Sequence, residues 1–207
     1  MFGWFLALTI VIGYALGNLN GAILTSRLLL KEDVRTHGSG NAGLTNFFRS
    51  YGGARTLLFL AVDVGKTVAA ALLGGWLLGR FGLADLGKMV GGVSTVFGHM
   101  FPAAFQFRGG KGILCGATLA GVMDWRILAA LLAVFLVAVV LTRYVSLGSC
   151  LGALVYPPAF ALCFPGDTAL LLLALLVAAA ALFMHRANLV RLFRGTESRL
   201  TFRKKSQ

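Results

Sequence analysis

Polar and cationic residues lie at four places in this sequence, each beside glycines or at the end of an apolar run. The first place is residues 38–49, Gly-Ser-Gly-Asn-Ala-Gly-Leu-Thr-Asn-Phe-Phe-Arg. Small residues let backbone N–H groups point at an anion, and a guanidinium such as that of Arg49 can donate two parallel hydrogen bonds to a phosphate. Ser39, Thr45 and Asn46 add side-chain donors. The segment predicts a phosphate site, and the alternative is a capped loop between two helices.

Glycines of this first segment also match a dinucleotide-binding pattern. Gly38, Gly40 and Gly43 fit G-x-G-x-x-G, but that fingerprint needs a strand before it and a βαβ unit around it. An apolar segment of helical length precedes it here, so dinucleotide binding is a poor interpretation.

The second place surrounds a lysine. Gly109, Gly110 and Gly112 flank Lys111, and an apolar segment follows. A cation and free N–H groups at the start of a helix make a favourable anion site. The spacing is not that of a Walker A loop, because no glycine stands five residues before a Gly-Lys-Ser or Gly-Lys-Thr triplet. The segment predicts anion binding, with a tight turn as the alternative.

The third and fourth places stand beside the last two apolar segments. Residues 143–149, Arg-Tyr-Val-Ser-Leu-Gly-Ser, contain Ser146, which could point inward or belong to an ordinary helix connection. His185, Asn188 and Arg191 are spaced by three residues, so they share one face of a helix. The shared face indicates a site, whereas a lone histidine at a helix end would indicate only an interfacial cap.

Two ionisable residues interrupt the second apolar segment. Asp63 and Lys66 are three residues apart and would meet on one helix face. Charges at membrane depth are costly and often functional, but these two can neutralise each other, and we interpret them as a structural pair. His99, just before Phe101-Pro102, is interpreted as a packed polar residue rather than a substrate contact.

Neither a metal nor a cofactor is predicted. The three histidines are far apart in sequence and carboxylates are few, which argues against a metal site. The His-x-x-x-x-Asp box of acyl-CoA acyltransferases is absent, as is the twin-Asp signature of membrane alcohol phosphotransferases. The cysteines lie in apolar segments, where they behave as small hydrophobes: Cys115, Cys150 and Cys163.

The composition assigns these residues to a membrane protein. The chain has 207 residues, 58% of them hydrophobic and 13% charged, whereas soluble domains are roughly 45–50% apolar and 25% charged. This balance excludes a soluble globular domain and a disordered chain. The net charge is +12, but its placement fits a membrane better than a nucleic acid. We therefore expect one all-α transmembrane domain over residues 1–207.

Charged residues divide the chain into seven apolar segments, which predicts a bundle of about seven transmembrane helices. Residues 2–22 are interpreted as a retained first span, because the N-terminus lacks a basic stretch and a small-residue cleavage site. The segment 112–123 reaches only about 18 Å as a helix. It is therefore re-entrant, strongly tilted, or extended by the glycine-rich residues before it, and a five-span alternative folds 112–142 back as one hairpin. The segments are 1–26, 56–79, 89–107, 112–123, 127–142, 144–166 and 168–185.

The basic residues also predict the orientation. Alternate loops on one side carry fifteen Lys and Arg against three Asp and Glu, and the loops on the other side carry three of each. Because cytoplasmic loops are enriched in Lys and Arg, we place the N-terminus outside and the C-terminus in the cytoplasm. The basic tail from Arg191 onward would contact anionic lipid headgroups or simply determine the topology.

All four polar places then fall on the cytoplasmic side. Two cationic glycine loops and a His/Asn stripe would converge there, which favours substrates that carry phosphate, at least one of them lipid-like. A group transfer that needs only positioning and charge stabilisation fits best. A transporter of a phosphorylated metabolite is the rival interpretation, but its donors would not all lie on one side, and no inverted repeat is visible. A non-enzymatic scaffold would not need the Ser/Thr/Asn/Arg cluster.

The same motifs resemble those of the bacterial membrane glycerol-3-phosphate acyltransferases that use acyl phosphate as donor. The family pattern matches residues 38–49, then Gly-His-x-Phe-Pro and Gly-Gly-Lys-Gly at 98–102 and 109–112. It matches again at 143–149 and at 185–197. Three positions depart from the pattern and touch packing more than phosphate donors: Leu44, Thr67, and the segment Ile-Leu-Cys-Gly after Gly112.

The resemblance implies that acyl phosphate acylates the 1-hydroxyl of sn-glycerol 3-phosphate, giving lysophosphatidic acid and inorganic phosphate. It implies no cofactor, a bacterial inner membrane location, contact with membrane lipid, and association with the enzyme that forms acyl phosphate. The departing phosphate or His185 would accept the proton, and Glu197 would form a structural ion pair. The expected catalytic residues are Ser39, Arg49, Lys111, His185 and Asn188. The expected substrate-binding residues are Gly38, Gly40, Asn41, Thr45, Asn46, Gly109, Gly110, Gly112 and Ser146.

Overall fold

Helices are the regular structure of the part that the computed structural model describes, residues 1–200, and irregular loops join them. No strand occurs among these residues, and short 3-10 turns lie at Val34–Thr36 and Ala103–Phe105. The tail prediction for Arg203, Lys204 and Lys205 lies outside the described residues. The helices are α1 (Phe2–Gly17), α2 (Gly21–Leu29), α3 (Leu44–Tyr51), α4 (Arg55–Gly79), α5 (Ala84–Met100), α6 (Ile113–Met123), α7 (Trp125–Thr142), α8 (Val145–Cys163), α9 (Thr168–Met184) and α10 (Arg186–Phe193).

Each of the seven predicted apolar segments contains a helix, and the all-helical prediction is confirmed. Helices α4, α7 and α8 are each long and apolar enough to cross a membrane. Two pairs meet the same criterion if each is one bent span: α1 with α2, at 41°, and α9 with α10, at 58°. Helix α6 has only 11 residues. Length and composition therefore support three to five spans, and the count of seven stays a prediction.

Glycines hold α1, α4 and α5 at close range. A Cβ atom on Gly13 of α1 would stand 2.6 Å from the carbonyl oxygen of Gly91 in α5. A Cβ atom on Gly17 would crowd Thr95 and Gly98 of the same helix. Small residues at such contacts are typical of membrane helices, where close backbone packing replaces the hydrophobic effect between helices. All three helices pack against one another.

The predicted first span, residues 2–22, contains a break between two helices. Helix α1 ends at Gly17 and α2 begins at Gly21, with a bend of 41° between them. The side chain of Asn20 starts α2, because its Oδ1 atom accepts a hydrogen bond from the Ile23 N–H at 3.1 Å. Asparagine is among the preferred residues at this capping position.

The ion pair of α4 fills this break. Lys66 Nζ lies 2.6 Å from Asp63 Oδ1, with both side chains buried. The same ammonium donates to the carbonyl oxygens of Gly17 at 3.2 Å and Leu19 at 2.8 Å, and Asp63 Oδ1 accepts from the Gly21 N–H at 3.0 Å. A helix end in an apolar medium needs such partners for its free backbone groups. Asp63 and Lys66 are therefore a structural pair, as expected, and they stabilise the broken helix.

Candidate functional site

The four polar segments of the sequence meet around one cavity of about 330 Å³ at the loop-rich end of the bundle. Of the predicted glycines, Gly112 lines it, whereas Gly40 and Gly109 line a smaller neighbouring cavity of about 290 Å³. Gly38 and Gly110 line neither. The polar residues that line the main cavity are Ser39, Asn41, Thr45, Asn46, Arg49, Asp63, His99, Lys111, Ser146, Ser149, Tyr156, His185, Asn188, Arg191, Glu197 and Ser198.

Asn46 organises the first loop. Its Nδ2 atom donates to the carbonyl oxygens of Val34, His37 and Asn41 at 3.0–3.1 Å, and its Oδ1 atom accepts from the Ser39 N–H at 3.0 Å. Both polar atoms of the Asn46 side chain thus have partners within the protein, so this side chain stabilises the loop and is not free to bind a ligand. Gly38 adopts φ +56°, and a Cβ there would collide with Asn46 Oδ1, which explains the glycine.

The second loop is fixed against α5. The Gly109 N–H donates to the Met100 carbonyl oxygen at 3.2 Å, and the Gly110 N–H donates to the His99 carbonyl oxygen at 3.1 Å. A Cβ atom on Gly110 would collide with the His99 ring and would lie 2.8 Å from the Ala42 carbonyl oxygen of the first loop. Only glycine permits the two loops to approach this closely.

These bonds correct one part of the sequence interpretation. The glycine-loop amides were expected to be free for an anion, but the N–H groups of Ser39, Gly40, Gly109 and Gly110 all donate to protein oxygens. The amides left without a partner in their own helix are those of the first turns of α3 and α6. Leu44, Thr45, Ile113 and Leu114 of these turns line the cavity. Two helix N-termini, whose partial positive charge favours anions, therefore border the cavity.

A carboxylate lies among the predicted donors. Glu197 Oε1 accepts from Ser146 Oγ at 2.8 Å and from Asn188 Nδ2 at 2.7 Å. Its Oε2 atom accepts from Arg191 Nε at 2.6 Å, which is the expected ion pair. Lys111 Nζ donates to Asn188 Oδ1. These contacts hold the side chains of α8, α10 and the second loop in one network.

Burial and hydrogen bonding act in opposite directions on the ionisation of this network. Burial lowers the pKa of Lys111, because desolvation disfavours the ammonium. Burial raises the pKa of Glu197, but the hydrogen bonds from Asn188, Ser146 and Arg191 outweigh it, so the pKa lies below its usual value of 4.5. Glu197 is therefore ionised in the folded protein at neutral pH.

Glu197→Gln is expected to lower the free energy of unfolding at pH 7 by about 1.5–3 kcal/mol, the value of a hydrogen bond to a charged group. A carboxylate whose pKa is lowered by folding stabilises the protein above its unfolded pKa and loses that effect as the pH falls through the folded pKa. The difference between the two proteins should therefore shrink below pH 4.5. Thermal unfolding in detergent from pH 7 to pH 3 measures it.

The exposed Glu32 provides the matched control for this prediction, since its carboxylate pairs with His37 outside the cavity. Glu32→Gln should leave the midpoint of unfolding nearly unchanged. Equal midpoints for Glu197→Gln and wild type at pH 7, or a difference that does not depend on pH, would contradict the role assigned to Glu197.

The tautomer of His185 follows from one contact. His185 Nδ1 lies 2.8 Å from the Ala181 carbonyl oxygen, and a carbonyl can only accept, so Nδ1 carries the proton. The Nε2 atom is then left with a lone pair. His185 is 3% exposed and lines the cavity at the bend between α9 and α10. It can accept a proton there without a change of tautomer.

Arg49 projects from α3 at the mouth of the cavity. Its Nη1 atom donates to Ser198 Oγ at 3.0 Å. Within residues 1–200, no carboxylate lies within ion-pair distance of Arg49. A guanidinium without a charged partner remains available for an anion.

One cluster below the loops has the residue types of a metal site. Ligand atoms of Asp63, His99 and Cys115 all lie within 4.8 Å of one another. However, Lys66 Nζ stands 2.6 Å from Asp63 Oδ1 and 3.1 Å from His99 Nδ1. The ammonium already neutralises the carboxylate and would repel a metal ion, so these residues do not fit a metal. His99 is buried in this cluster, as expected, and it also lines the cavity.

Sequence reasoning missed several residues of the site. Asn20 links the break of the first span to the loops, since its Nδ2 atom lies 3.4 Å from both the Ala42 carbonyl oxygen and His99 Nδ1. The run Gly-Asn-Leu-Asn-Gly at 17–21 was an available signal, because Asn and Gly favour caps and turns. Ser198 and Tyr156, by contrast, reach the cavity through long-range packing, and no local pattern marks them.

Comparisons with known proteins identify the same family in sequence and in structure. The sequence model of the glycerol-3-phosphate acyltransferase family matches residues 7–195. A relative named glycerol-3-phosphate acyltransferase from Thermoanaerobacter pseudethanolicus is 38% identical over 193 residues, which cover 93% of this chain and 94% of the relative. The protein of the same name from Chlorobaculum parvum is 37% identical over 233 residues, covering 98% of this chain and 99% of the relative.

Two solved structures are also similar. The crystal structure of PlsY, an integral membrane glycerol 3-phosphate acyltransferase, in its glycerol 3-phosphate form matches with a TM-score of 0.83 and 28% identity. The match covers 95% of this chain and 96% of that one. The lysophosphatidic acid form of the same protein matches with a TM-score of 0.80 and 28% identity, covering 95% of each chain.

Proposed function

This chain belongs to the glycerol-3-phosphate acyltransferase family, and from that premise we propose that it uses acyl phosphate as its donor. The acyl group passes to the 1-hydroxyl of sn-glycerol 3-phosphate and gives lysophosphatidic acid and inorganic phosphate. The main observation behind this proposal is that one cavity is lined by cationic residues at its mouth and by apolar residues in its interior. The glycerol 3-phosphate and lysophosphatidic acid forms of the similar PlsY structures support this substrate and product.

The proposal includes a place in the cell. One transmembrane domain, residues 1–207, has seven helical spans in the bacterial inner membrane, with the N-terminus outside and the C-terminus in the cytoplasm. The four polar segments at one end of the bundle, together with the excess of Lys and Arg in their loops, support an active site on the cytoplasmic face. Acyl phosphate would come from an associated enzyme that forms it.

Cations and helix N-termini hold the two phosphates. Arg49 and Lys111 provide the positive charge, and the first turns of α3 and α6 add backbone N–H donors. Ser39, Ser146 and Asn188 line the same cavity, where Ser146 and Asn188 donate to Glu197. Positioning of this kind can supply much of the rate of a reaction whose reactants are already activated.

The transfer needs no covalent enzyme intermediate. Acyl phosphate is a mixed anhydride with a good leaving group, so the glycerol oxygen attacks the acyl carbonyl directly. The new ester C–O bond forms, the bond from the carbonyl carbon to the phosphate oxygen breaks, and phosphate leaves with that electron pair. The hydroxyl proton goes to the departing phosphate or to Nε2 of His185.

Arg49→Ala is expected to lower the rate of product formation by about 10²–10³-fold, the effect of removing one charge-stabilising donor from an active site. The assay uses the purified protein in detergent with acyl phosphate and glycerol 3-phosphate. Inorganic phosphate and lysophosphatidic acid are followed together, and wild type should release them in equal amounts.

Arg55→Ala is the matched control, because Arg55 has the same charge six residues further along and does not line the cavity. It should retain wild-type activity. If wild type forms no lysophosphatidic acid from acyl phosphate but forms it from acyl-CoA, with release of CoA, the proposed donor is wrong. If it releases neither product with either donor, the proposed reaction is wrong and flux across sealed vesicles becomes the next measurement.

A further inference from the structure

The interior of the main cavity is a groove with small residues on one wall. Along α8, the residues that line the cavity follow a helical stripe of positions three and four apart, which form one face of the helix. From the mouth inward, Ser146 is followed by Gly148, Ser149, Gly152 and Ala153. Space along this wall is open at Gly152, where a Cβ atom would meet nothing within 4 Å, whereas Gly148 packs closely against α7.

Tyr156 ends this stripe. It is ten residues beyond Ser146, which places it about 15 Å further along the helix. The residues of α9 and α7 that line the cavity furthest from the loops are Val177 and Leu131. All three belong to one hydrophobic cluster. The groove thus stops at a packed wall, and Tyr156 contributes the largest side chain to it.

The Tyr156 side chain is buried, but its hydroxyl does not stabilise the fold of the described part of the chain through a hydrogen bond. Tyr156 is 3% exposed, and within residues 1–200 its hydroxyl has no hydrogen-bond partner. Its ring stacks on Phe160 with centroids 4.9 Å apart, a contact that phenylalanine would make equally well. A buried polar group without a partner is unfavourable. The contribution of Tyr156 to the cavity therefore lies in its ring, and the hydroxyl itself is buried.

We propose that Tyr156 is the specificity-determining residue that sets the longest acyl chain this protein accepts. The inference rests on the proposed function, in which the groove holds the chain of acyl phosphate. With the reacting carbonyl near Lys111 and Ser146, the chain runs along α8 and its terminal methyl reaches Tyr156. A methylene that fits in the groove improves apparent affinity about fourfold, whereas one beyond Tyr156 has to displace a close-packed core.

The test uses purified full-length protein and a series of saturated acyl phosphates of increasing length. For wild type, kcat/KM should rise about fourfold per methylene and then fall at a limiting length. Tyr156→Ala should move that limit to longer chains, and Tyr156→Phe, which keeps the ring, should leave it in place. Gly152→Val should move the limit the other way, because a Cβ at Gly152 meets nothing within 4 Å and enters open space.

Leu170→Ala serves as the matched control, since Leu170 lies in the same buried cluster but does not line the cavity. It should not change the limiting length. An unchanged limit in a folded and active Tyr156→Ala variant overturns the inference. If Tyr156→Ala does not fold, an unchanged limit in Gly152→Val overturns it instead, because the chain then does not run along this face of α8. No product from wild type with any acyl phosphate overturns the proposed function instead, and the inference with it.

Discussion

His185→Gln is expected to lower kcat by about 10²–10⁴-fold, the usual contribution of a positioned general base. The imidazole is prepared for this role because its Nδ1–H donates to the Ala181 carbonyl oxygen at 2.8 Å, which leaves Nε2 as an acceptor in the cavity. Glutamine can keep a donor near Ala181 but offers no basic nitrogen. Binding of glycerol 3-phosphate, measured by calorimetry, should change little, so that the effect appears in kcat.

The size of the residual activity separates the two proton acceptors. If His185→Gln retains more than about 10⁻² of the wild-type rate, a contribution below that of a typical general base, the proton passes to the departing phosphate instead. His37→Gln is the control, since His37 lies in the first loop, pairs with Glu32 at 3.0 Å and does not line the cavity. It should keep full activity and confirm that the loss is specific to the position.

The helical segments and the meeting of the four motifs could be predicted from the sequence because each depends on local properties. Hydropathy and length place a helix in every apolar segment, from α1 to α9. The motifs follow helix ends, so a bundle with short connections brings them together at one end. Ser39, Arg49, Lys111, Ser146 and His185 all line the same cavity, although up to 146 positions separate them in the sequence.

The sequence could not predict which hydrogen bonds those residues make. The amides of Gly109 and Gly110 donate to α5, and Asn46 holds its own loop. Each of these bonds depends on the relative position of segments that the sequence leaves undefined. The limit of the groove at Tyr156 is of the same kind, because it is set by the packing of α7, α8 and α9 rather than by a motif.

Lys66→Met is expected to lower the free energy of unfolding by about 3–5 kcal/mol, the effect of leaving a buried charge without its partner. Asp63 Oδ1 now contacts the Lys66 ammonium and the Gly21 N–H, and in the variant it would keep only the Gly21 N–H. Methionine matches the length of lysine, so packing is largely preserved and the charge is the main change. Unfolding in mixed micelles, followed by circular dichroism, measures the difference.

The double variant Asp63→Leu/Lys66→Met separates two contributions of the ammonium. Lys66 neutralises Asp63, and it also satisfies the carbonyl oxygens of Gly17 and Leu19 at the end of α1. If neutralisation dominates, removal of both charges restores most of the stability, because an apolar pair of similar volume can replace a buried ion pair. If the carbonyls dominate, the double variant stays as unstable as the single one.

We expect partial recovery, because each carbonyl left unsatisfied in an apolar interior costs about 1–3 kcal/mol and remains unsatisfied in both variants. The part that is recovered comes from removing the uncompensated charge of Asp63. The part that is not recovered comes from the polar groups at the break, which are the Gly17 and Leu19 carbonyls and the Gly21 N–H that has lost Asp63. Wild-type stability for Lys66→Met alone would contradict both roles. Asn20 at this break also contacts the Ala42 carbonyl oxygen of the first glycine loop and His99, against which the second glycine loop packs. A loss of stability that the double variant does not recover should therefore be accompanied by a higher KM for glycerol 3-phosphate.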